Sequence, residues 1–341
     1  MILARLIRTL IFGSFAAFII SSPAYSDTIA EIKGRGYLKC GVSQGLPGFS
    51  TADKNGNWFG IDVDLCRSIA AAVLGDAAKV KFTPLSAKER FTALQSGEID
   101  VLSRNTSWTL QRDAALGIDF AGVTYYDGQG FMVHKKLNVT SAEQLLNASI
   151  CVQIGTTTEL NVSDFFRARK IKYKLVTFEK NDEVVAAYGA GRCDAISSDQ
   201  SGLYAERTKL RVPDEHVILP ERISKEPLGP AVRHGDNRFG DIVRWVLYTW
   251  FEGEELGIGQ TTVASLASSG RPDVRRMLGI EGELGKNLGL DNEFSKRILV
   301  QVGNYAEVFD RNLGANSPLK IERGMNALWN KGGLHYAMPF R

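Results

Sequence analysis

The 341-residue chain lacks an excess of either charge: 41 Lys and Arg residues stand against 38 Asp and Glu residues, a formal net charge of +3. No strongly basic field is therefore available to attract nucleic acid, and no nucleic-acid partner is expected. Long apolar runs are absent except for one at the N-terminus, which excludes a protein that crosses a membrane many times. The 44% of hydrophobic residues can bury a large core, and the length favours two domains.

Cysteine and histidine are scarce, with four of each. The sequence contains no C-x-x-C pair, and the histidines are scattered. We therefore predict neither a metal site nor a cofactor. The G-x-S-x-G pattern of serine hydrolases is matched by residues 41–45, Gly-Val-Ser-Gln-Gly. Pro47 and Gly48 follow where that pattern requires a helix, so the match does not indicate a serine hydrolase.

The one apolar run predicts a secretory signal peptide over residues 1–26. Arg5 and Arg8 precede the apolar residues 10–20, and Ala24 and Ser26 are small residues at the two positions that a signal peptidase reads. An uncleaved anchor is the alternative, although about a dozen apolar residues is short for a membrane span. Cleavage would leave a chain that begins near Asp27 with a net charge of +1, because the leader holds two arginines and no acid.

Export changes how the four cysteines are interpreted, since an oxidising compartment favours disulfides. Four cysteines allow three connectivities. Pairing within each part of the sequence joins Cys40 to Cys66 and Cys151 to Cys193. The closed loops would contribute about 3.5 and 4 kcal/mol to stability. We predict this pairing, and a bridge between Cys40 and Cys151 would contradict it.

Hydrophobic spacing predicts alternating strands and helices. Residues 37–42 form an apolar strand, and apolar residues recur at helical spacing over residues 61–73 before Gly75. A capping box from Ser86 to Glu89 begins another helix, which ends at Gly97 before a strand over residues 99–102. This order of elements implies a parallel sheet.

A weak internal repeat indicates two similar lobes, although a chance match is the alternative. Four residues recur about 94 positions later: Leu94, Gly97, Asp100 and Ser103 match Tyr188, Gly191, Asp194 and Ser197. Residues 128–133 and 227–232 are predicted to be extended crossings between the lobes. A helix after Asp236 and further helices beyond Gly259 are expected to pack on the first lobe.

Polar residues lie where the predicted strands end, which is where open α/β sheets bind ligands. Arg104, Asn105, Thr106 and Ser107 follow one strand, and Arg112 comes shortly after them. These residues offer a guanidinium and further donors to a carboxylate. Gly155, Thr156 and Thr157 begin a helix whose free N–H groups favour an anion. Asp199 ends a strand and could hold an ammonium group.

Each feature of this set also has a plainer explanation. Arg112 could pair with Asp113 at the surface, the threonines could be a simple helix cap, and Asp199 could be a solvated turn residue. Taken together, however, the set is complementary to a zwitterion, with Phe49, Trp58 and Trp108 as aromatic candidates for the same cleft.

Longer motifs point to a family. Residues 60–65, Gly-Ile-Asp-Val-Asp-Leu, followed by Ile69 and Ala70, resemble the signature of bacterial solute-binding proteins for polar amino acids. The strings at residues 45–49, 102–106, 125–131 and 155–160 are similar to those of the general L-amino acid-binding proteins of ABC importers. The resemblance covers residues 30 to 260, approximately.

The resemblance implies the α/β fold of the type II periplasmic binding proteins, with two α/β lobes joined by two hinge crossings and a C-terminal helical extension. We expect lobe 1 over residues 27–130 and 229–265, lobe 2 over 131–228, and the extension over 266–341, packed on lobe 1. The implied protein is a periplasmic monomer that closes around an L-amino acid. It would dock transiently on an inner-membrane ABC permease with its ATPase, without a catalytic step.

Residue by residue, the resemblance assigns a ligand's α-carboxylate to Arg112, Ser107 and Thr157, and its α-ammonium group to Asp199. Arg104 and Asn105 stand where histidine-type binders have paired serines, and Arg104 would favour acidic ligands. We expect broad specificity with a preference for polar or acidic amino acids. Two alternatives remain, a small-acid dehydratase-type enzyme on the same scaffold and a ligand-sensing module. The enzyme would need a titratable acid or base over its substrate, and no histidine is expected near the cleft.

Overall fold

The computed structural model describes residues 27–341, so the predicted signal peptide, residues 1–26, lies outside the described residues. Fourteen β-strands form in the described part of the chain. They are β1 Leu38–Ser43, β2 Thr51–Ala52, β3 Trp58–Phe59, β4 Val80–Leu85, β5 Val101–Leu102, β6 Ile118–Phe120, β7 Tyr125–Asp127, β8 Gln129–His134, β9 Ser149–Gln153, β10 Lys174–Phe178, β11 Ala195–Asp199, β12 His216–Ile218, β13 Glu226–Leu228 and β14 Ala231–Arg233.

Thirteen α-helices accompany these strands within residues 27–341. They are α1 Thr28–Arg35, α2 Ile61–Leu74, α3 Arg90–Gln95, α4 Leu110–Ala115, α5 Thr157–Ala168, α6 Asn181–Gly189, α7 Gln200–Arg207, α8 Asn237–Leu256, α9 Val263–Leu266, α10 Pro272–Met277, α11 Leu284–Asn287, α12 Phe294–Gln301 and α13 Tyr305–Asn312. None of the helices in this range combines the length and hydrophobicity that a membrane crossing requires.

Two five-stranded sheets organise the molecule, one in each lobe. The strand order is β4-β1-β5-β14-β6 in lobe 1 and β10-β9-β11-β8-β12 in lobe 2. In each sheet the first three strands are parallel, and the fourth runs antiparallel to both of its neighbours. The predicted fold of two α/β lobes is therefore confirmed.

The internal repeat occupies the same place in both sheets. Asp100 precedes β5 and Asp194 precedes β11, and each of these is the third strand in its sheet. The Asp100 carboxylate accepts the backbone N–H of Lys39 at 2.8 Å, and the Asp194 carboxylate accepts the backbone N–H of Ser149 at 2.8 Å. Each aspartate thus links the entrance of the third strand to its parallel neighbour, so the sequence match reflects one arrangement used twice.

The chain passes between the sheets through β7 and β13, which pair antiparallel with Asp127 opposite Glu226. The predicted crossing segments adjoin these strands: residues 128–133 fall largely in β8 of lobe 2, and residues 227–232 run from β13 into β14 of lobe 1. The free edge of β7 is covered from the C-terminal segment. There the Asn326 amide accepts the N–H of Tyr126 at 2.7 Å and donates to its carbonyl at 3.1 Å.

The main core of lobe 1 surrounds α2. This helix ends at Gly75, which has φ 75° and donates its N–H to the Ala71 carbonyl, as the glycine at that position predicts. Helices α8 and α12 pack against α2. The segment beyond α8 contributes fully buried side chains to the same core, including Tyr305 and Phe309. The tail is thus built into the core that α2 and α8 share.

Both predicted disulfides are present. Cys40 of β1 bonds to Cys66 of α2 with an S–S distance of 1.99 Å, and Cys151 of β9 bonds to Cys193 with an S–S distance of 2.01 Å.

The predicted capping box also forms, since Ser86 and Glu89 exchange hydrogen bonds of 3.0 and 3.3 Å just before α3 begins. These local predictions are confirmed.

Candidate functional site

A polar cavity of about 630 Å³, part of it open to solvent, lies between the two lobes. Lobe 1 contributes Ser43, Leu46, Arg90, Arg104, Asn105, Ser107 and Arg112 to its lining. Lobe 2 contributes Gln153, Thr156, Thr157, Thr158, Asn181, Val184, Ile196, Ser197, Ser198 and Asp199. Strand ends account for its place: Ser43, Gln153 and Asp199 are the last residues of β1, β9 and β11.

Arg112 enters the cavity from the first turn of α4. The helix begins because the Thr109 hydroxyl accepts the Arg112 N–H. The guanidinium is buried, and one of its terminal nitrogens donates to the Ser107 carbonyl at 2.9 Å. Burial lowers the pKa of Arg112, while the carboxylates of Glu226 and Asp199 raise it. Its remaining donors are available to an anion.

Arg104 lies near the buried carboxylate of Asp62, whose charge raises the pKa of Arg104. Its Nε donates to the Leu85 carbonyl at 3.0 Å, and burial lowers its pKa to about 10, so it stays cationic at neutral pH. The Asp62 carboxylate accepts hydrogen bonds from the backbone N–H of Asn105 at 2.8 Å and from the Ser103 hydroxyl at 3.4 Å. Burial raises the pKa of Asp62 to about 7.

Asn105 adopts a left-handed backbone conformation with φ 29°. This conformation is uncommon for residues other than glycine, and asparagine tolerates it better than most. The hydrogen bond from its N–H to Asp62 helps to hold it there. Its side-chain Oδ1 is buried without a hydrogen-bond partner in the protein. An unpaired acceptor at the cavity wall is a polar group that a ligand can satisfy.

The start of α5 forms the wall of lobe 2. The Thr156 hydroxyl donates to the Gln153 carbonyl at 2.6 Å and accepts the N–H of Glu159, so it acts as the helix cap. The Thr157 hydroxyl donates to the Glu226 carboxylate at 3.0 Å. In this arrangement Thr157 reaches the cavity from the helix N-terminus while it is tied to β13.

Asp199 closes the cavity at the end of β11. Its side chain is buried and makes no hydrogen bond to the N-terminus of α7. Burial raises the pKa of Asp199, and the nearby carboxylates of Asp127 and Glu226 raise it further, against the opposite effect of Arg112 and Arg90. A cation beside Asp199 would stabilise its ionised form.

Seven of the nine predicted ligand-binding residues line this cavity, namely Arg104, Asn105, Ser107, Arg112, Thr156, Thr157 and Asp199. Thr106 does not, because its hydroxyl is buried between the Arg104 carbonyl and the Arg90 guanidinium. Gly155 does not either, since it lies against Lys88, and its N–H binds the Glu159 carboxylate.

The prediction that three aromatic residues contribute to the cleft was wrong, because none of them lines the cavity. Phe49 is buried in the lobe 1 core against Tyr125, and Trp58 packs on Phe82. Trp108 stacks on Phe120, with ring centroids 5.6 Å apart. Each ring has an apolar neighbour outside the cavity, which the sequence around it does not reveal.

Arg90 is the main residue that the sequence analysis missed. It is only 2% exposed and lines the cavity from the first position of α3. Its position directly after the capping box is a signal that could have found it, because first-turn residues of such a helix lie beside the strand ends. Ser43, Gln153 and Asn181 were missed as well, the first two at strand ends. Among the described residues that line the cavity there is no histidine.

These features define a class of molecule: two α/β lobes, linked by a pair of hinge strands, that enclose a polar binding cavity at their strand ends. The model of the bacterial extracellular solute-binding proteins, family 3, matches residues 38–256. The chain belongs to this family.

Similar proteins cover nearly the whole chain. The general L-amino acid-binding periplasmic protein AapJ of Rhizobium johnstonii is 56% identical over 331 residues, which cover 96% of this chain and 97% of the relative. The glutamate/glutamine/aspartate/asparagine-binding protein BztA of Rhodobacter capsulatus is 51% identical, with 98% and 99% covered. A periplasmic binding protein of an ABC transporter from Brucella ovis, solved with glutathione bound, has a TM-score of 0.91 at 56% identity, covering 93% of this chain and 100% of that one.

Proposed function

We propose that this chain is a periplasmic receptor that captures L-amino acids by closing its cleft and delivers them to an inner-membrane ABC permease and its ATPase. The names of AapJ and BztA, which are amino-acid-binding proteins, support this role. The receptor acts as a monomer after removal of residues 1–26, and it binds and releases its ligand without a catalytic step. Lobe 1, residues 27–130 and 229–265, closes against lobe 2, residues 131–228, while residues 266–341 stay with lobe 1.

One observation carries the proposal: the buried side chains of Arg112 and Asp199, from opposite lobes, line the same cavity. The guanidinium binds the ligand's α-carboxylate, and the carboxylate binds its α-ammonium group. A ligand that carries both charges therefore contacts both lobes. Since these contacts exist together only when the lobes are close, the ligand stabilises the closed form.

The neutral groups complete the site for the amino-acid head. The hydroxyls of Ser107 and Thr157 donate hydrogen bonds to the α-carboxylate. The unpaired Oδ1 of Asn105 is a hydrogen-bond acceptor for the ligand. Thr157 then exchanges its bond to Glu226 for one to the ligand. The cleft is broad in range because these contacts involve only the part that all L-amino acids share.

We predict that many L-amino acids raise the melting temperature of the mature chain, residues 27–341, after carried ligand has been removed by unfolding and refolding. A ligand at 100 times its dissociation constant should add about 2.7 kcal/mol of stability. Arg112→Ala and Asp199→Ala should abolish the shift, because each removes one of the two charges that hold the zwitterion. Differential scanning fluorimetry against each amino acid provides the measurement.

Arg244→Ala is the matched control, since Arg244 pairs with Asp241 on the surface of α8 and should leave every shift unchanged. If no L-amino acid shifted the unaltered protein, the proposed ligand class would be wrong. If an enzyme on this scaffold were the correct assignment, incubation with the stabilising amino acid would consume it, which mass spectrometry would detect.

A further inference from the structure

A second polar cavity, of about 830 Å³ and partly open to solvent, lies beside hinge strand β7, and we call it the hinge-side cavity. Residues 320–326, the hinge-side segment, line it from the C-terminal part of the chain. Lobe 2 lines it with Gln200, Ser201, Tyr204 and Arg222. None of its residues also lines the ligand cavity. The family match ends at residue 256, so the hinge-side segment lies beyond the part of the chain that the family model describes.

The hinge-side segment is fixed to lobe 1. The Arg323 guanidinium donates to the Glu254 carboxylate of α8 at 2.9 Å. The Ile321 N–H donates to the Leu313 carbonyl at 2.8 Å, and the Ile321 side chain packs against the lobe 1 core. Asn326 is bonded to the free edge of β7. When the lobes rotate, the segment therefore moves with lobe 1.

The hinge-side segment is not tied to lobe 2. Its hydrogen bonds and ion pairs are made with lobe 1, with β7 or within the C-terminal part of the chain, and none between described residues reaches lobe 2. Met325 is 38% exposed and lines the hinge-side cavity, with the half-buried Tyr204 on the lobe 2 side. The two sides of the cavity can therefore approach each other without breaking a bond between them.

The two cavities lie at opposite edges of the paired hinge strands. On the β13 side, Glu226 accepts the Thr157 hydroxyl at 3.0 Å, and Leu228 forms a β-bridge with Ser107. Thr157 and Ser107 both line the ligand cavity. On the β7 side, Asn326 of the hinge-side segment occupies the outer edge. A rotation that separates the lobes at the ligand cavity therefore brings them together at the hinge-side cavity.

We infer that the hinge-side segment limits how far the cleft can open, and that Met325 thereby helps to set ligand affinity from outside the ligand cavity. This inference rests on the proposed function, because it takes closure of the lobes around the ligand as the binding step. Opening moves α7 and Arg222 toward the segment until the two sides meet. The measured affinity depends on the fraction of the protein that is closed, so a smaller range of open forms gives tighter binding.

Two substitutions of Met325 test the inference because they should act in opposite directions. Met325→Trp fills part of the hinge-side cavity and restricts opening. It should lower the dissociation constants of L-glutamate and L-glutamine about fivefold in isothermal titration calorimetry. The ligand-free protein should also have a smaller radius of gyration in small-angle X-ray scattering. Met325→Ala widens the cavity, and it should raise both dissociation constants about twofold and enlarge the ligand-free protein.

Met338 provides the matched control, since it is 43% exposed and does not line the hinge-side cavity. Met338→Trp and Met338→Ala should change neither the affinity nor the radius of gyration. A merely structural role for Met325 would weaken binding in both of its variants, and that result would overturn the inference, as would unchanged radii.

The two proposals fail differently. If neither amino acid binds the unaltered protein, the proposed function fails, and the radii of the ligand-free proteins still show whether the segment limits opening. Normal binding by the unaltered protein, together with Met325 variants that match it in affinity and radius, contradicts only the inference about the hinge-side segment.

Discussion

At the scale of single residues, burial decides which ionisable groups stay neutral. His335 of the C-terminal segment is buried between Tyr305 and Phe251, with its Nε2 2.9 Å from the Tyr305 hydroxyl. Burial lowers its pKa to about 3, and the cation of Arg323 acts in the same direction. The histidine is therefore a neutral part of the core at physiological pH.

We predict that His335 makes the folded state less stable in acid. Above pH 6.5 the residue is neutral in both states. Between pH 6.5 and the folded-state pKa of about 3, His335 is protonated in the unfolded chain and neutral in the folded chain. The free energy of unfolding should therefore fall by about 1.4 kcal/mol per pH unit through this residue. His335→Gln should remove that part of the slope in urea titrations between pH 7 and pH 4.

His234 serves as the control because it is largely exposed beside Asp119, and His234→Gln should retain most of the slope. If the His335 variant kept the full slope of the unaltered protein, the acid sensitivity would come from other groups.

At the scale of elements, the end of α7 connects the two lobes. Lys209 follows this helix in lobe 2, and its Nζ donates to the Gly45 carbonyl of lobe 1 at 2.7 Å. The same ammonium group lies 3.0 Å from Asp182 and 3.2 Å from Glu206. Burial raises the pKa of Glu206 to about 7. Lys209 thus forms a charge-assisted hydrogen bond between the two lobes at a position away from the hinge strands.

We predict that Lys209→Met weakens ligand binding about fivefold, which corresponds to the ~1 kcal/mol of one hydrogen bond. The bond exists only when the lobes are close, so the loss should appear as faster ligand release in stopped-flow measurements. Lys172→Met, at an exposed position of lobe 2, should release ligand at the normal rate. An unchanged release rate for Lys209→Met would mean that the contact does not contribute to closure.

At the scale of the whole molecule, the covalent links and the hinge are kept apart. Cys40–Cys66 lies entirely in lobe 1 and Cys151–Cys193 entirely in lobe 2. The two lobes are joined by β7 and β13, with Asn326 on the outer edge of β7. Each lobe can therefore be rigid while the angle between them changes.

We predict that removal of either disulfide lowers stability without changing affinity. The closed loops span 26 and 42 residues, so the Cys40→Ser/Cys66→Ser and Cys151→Ser/Cys193→Ser proteins should lose about 3.5 and 4 kcal/mol. Denaturant titration measures the loss, and calorimetry should give dissociation constants within twofold of the normal value. A large loss of affinity would show that a disulfide also shapes the cavity or the closure.

Much of this architecture could be predicted from local sequence. Gly75 ends α2, Ser86 and Glu89 form their capping box, and the repeat around Asp100 and Asp194 marks equivalent strands. Such features depend on contacts between residues a few positions apart, or on a pattern that occurs twice. The rule that ligands bind beyond strand ends then brought Arg112 and Asp199 into one expected cleft.

The sequence by itself thus predicted the two α/β lobes, the cysteine pairing within each part of the chain, and seven of the seventeen residues that line the cavity. Only the tertiary structure decided that Arg90 joins Arg104 and Arg112, that Phe49, Trp58 and Trp108 lie outside the cavity, and that Asn326 binds the hinge strand across 200 positions. The physical reason is distance along the chain. Backbone geometry and hydrophobic period act between near neighbours, whereas a contact between remote residues depends on how all the intervening elements pack.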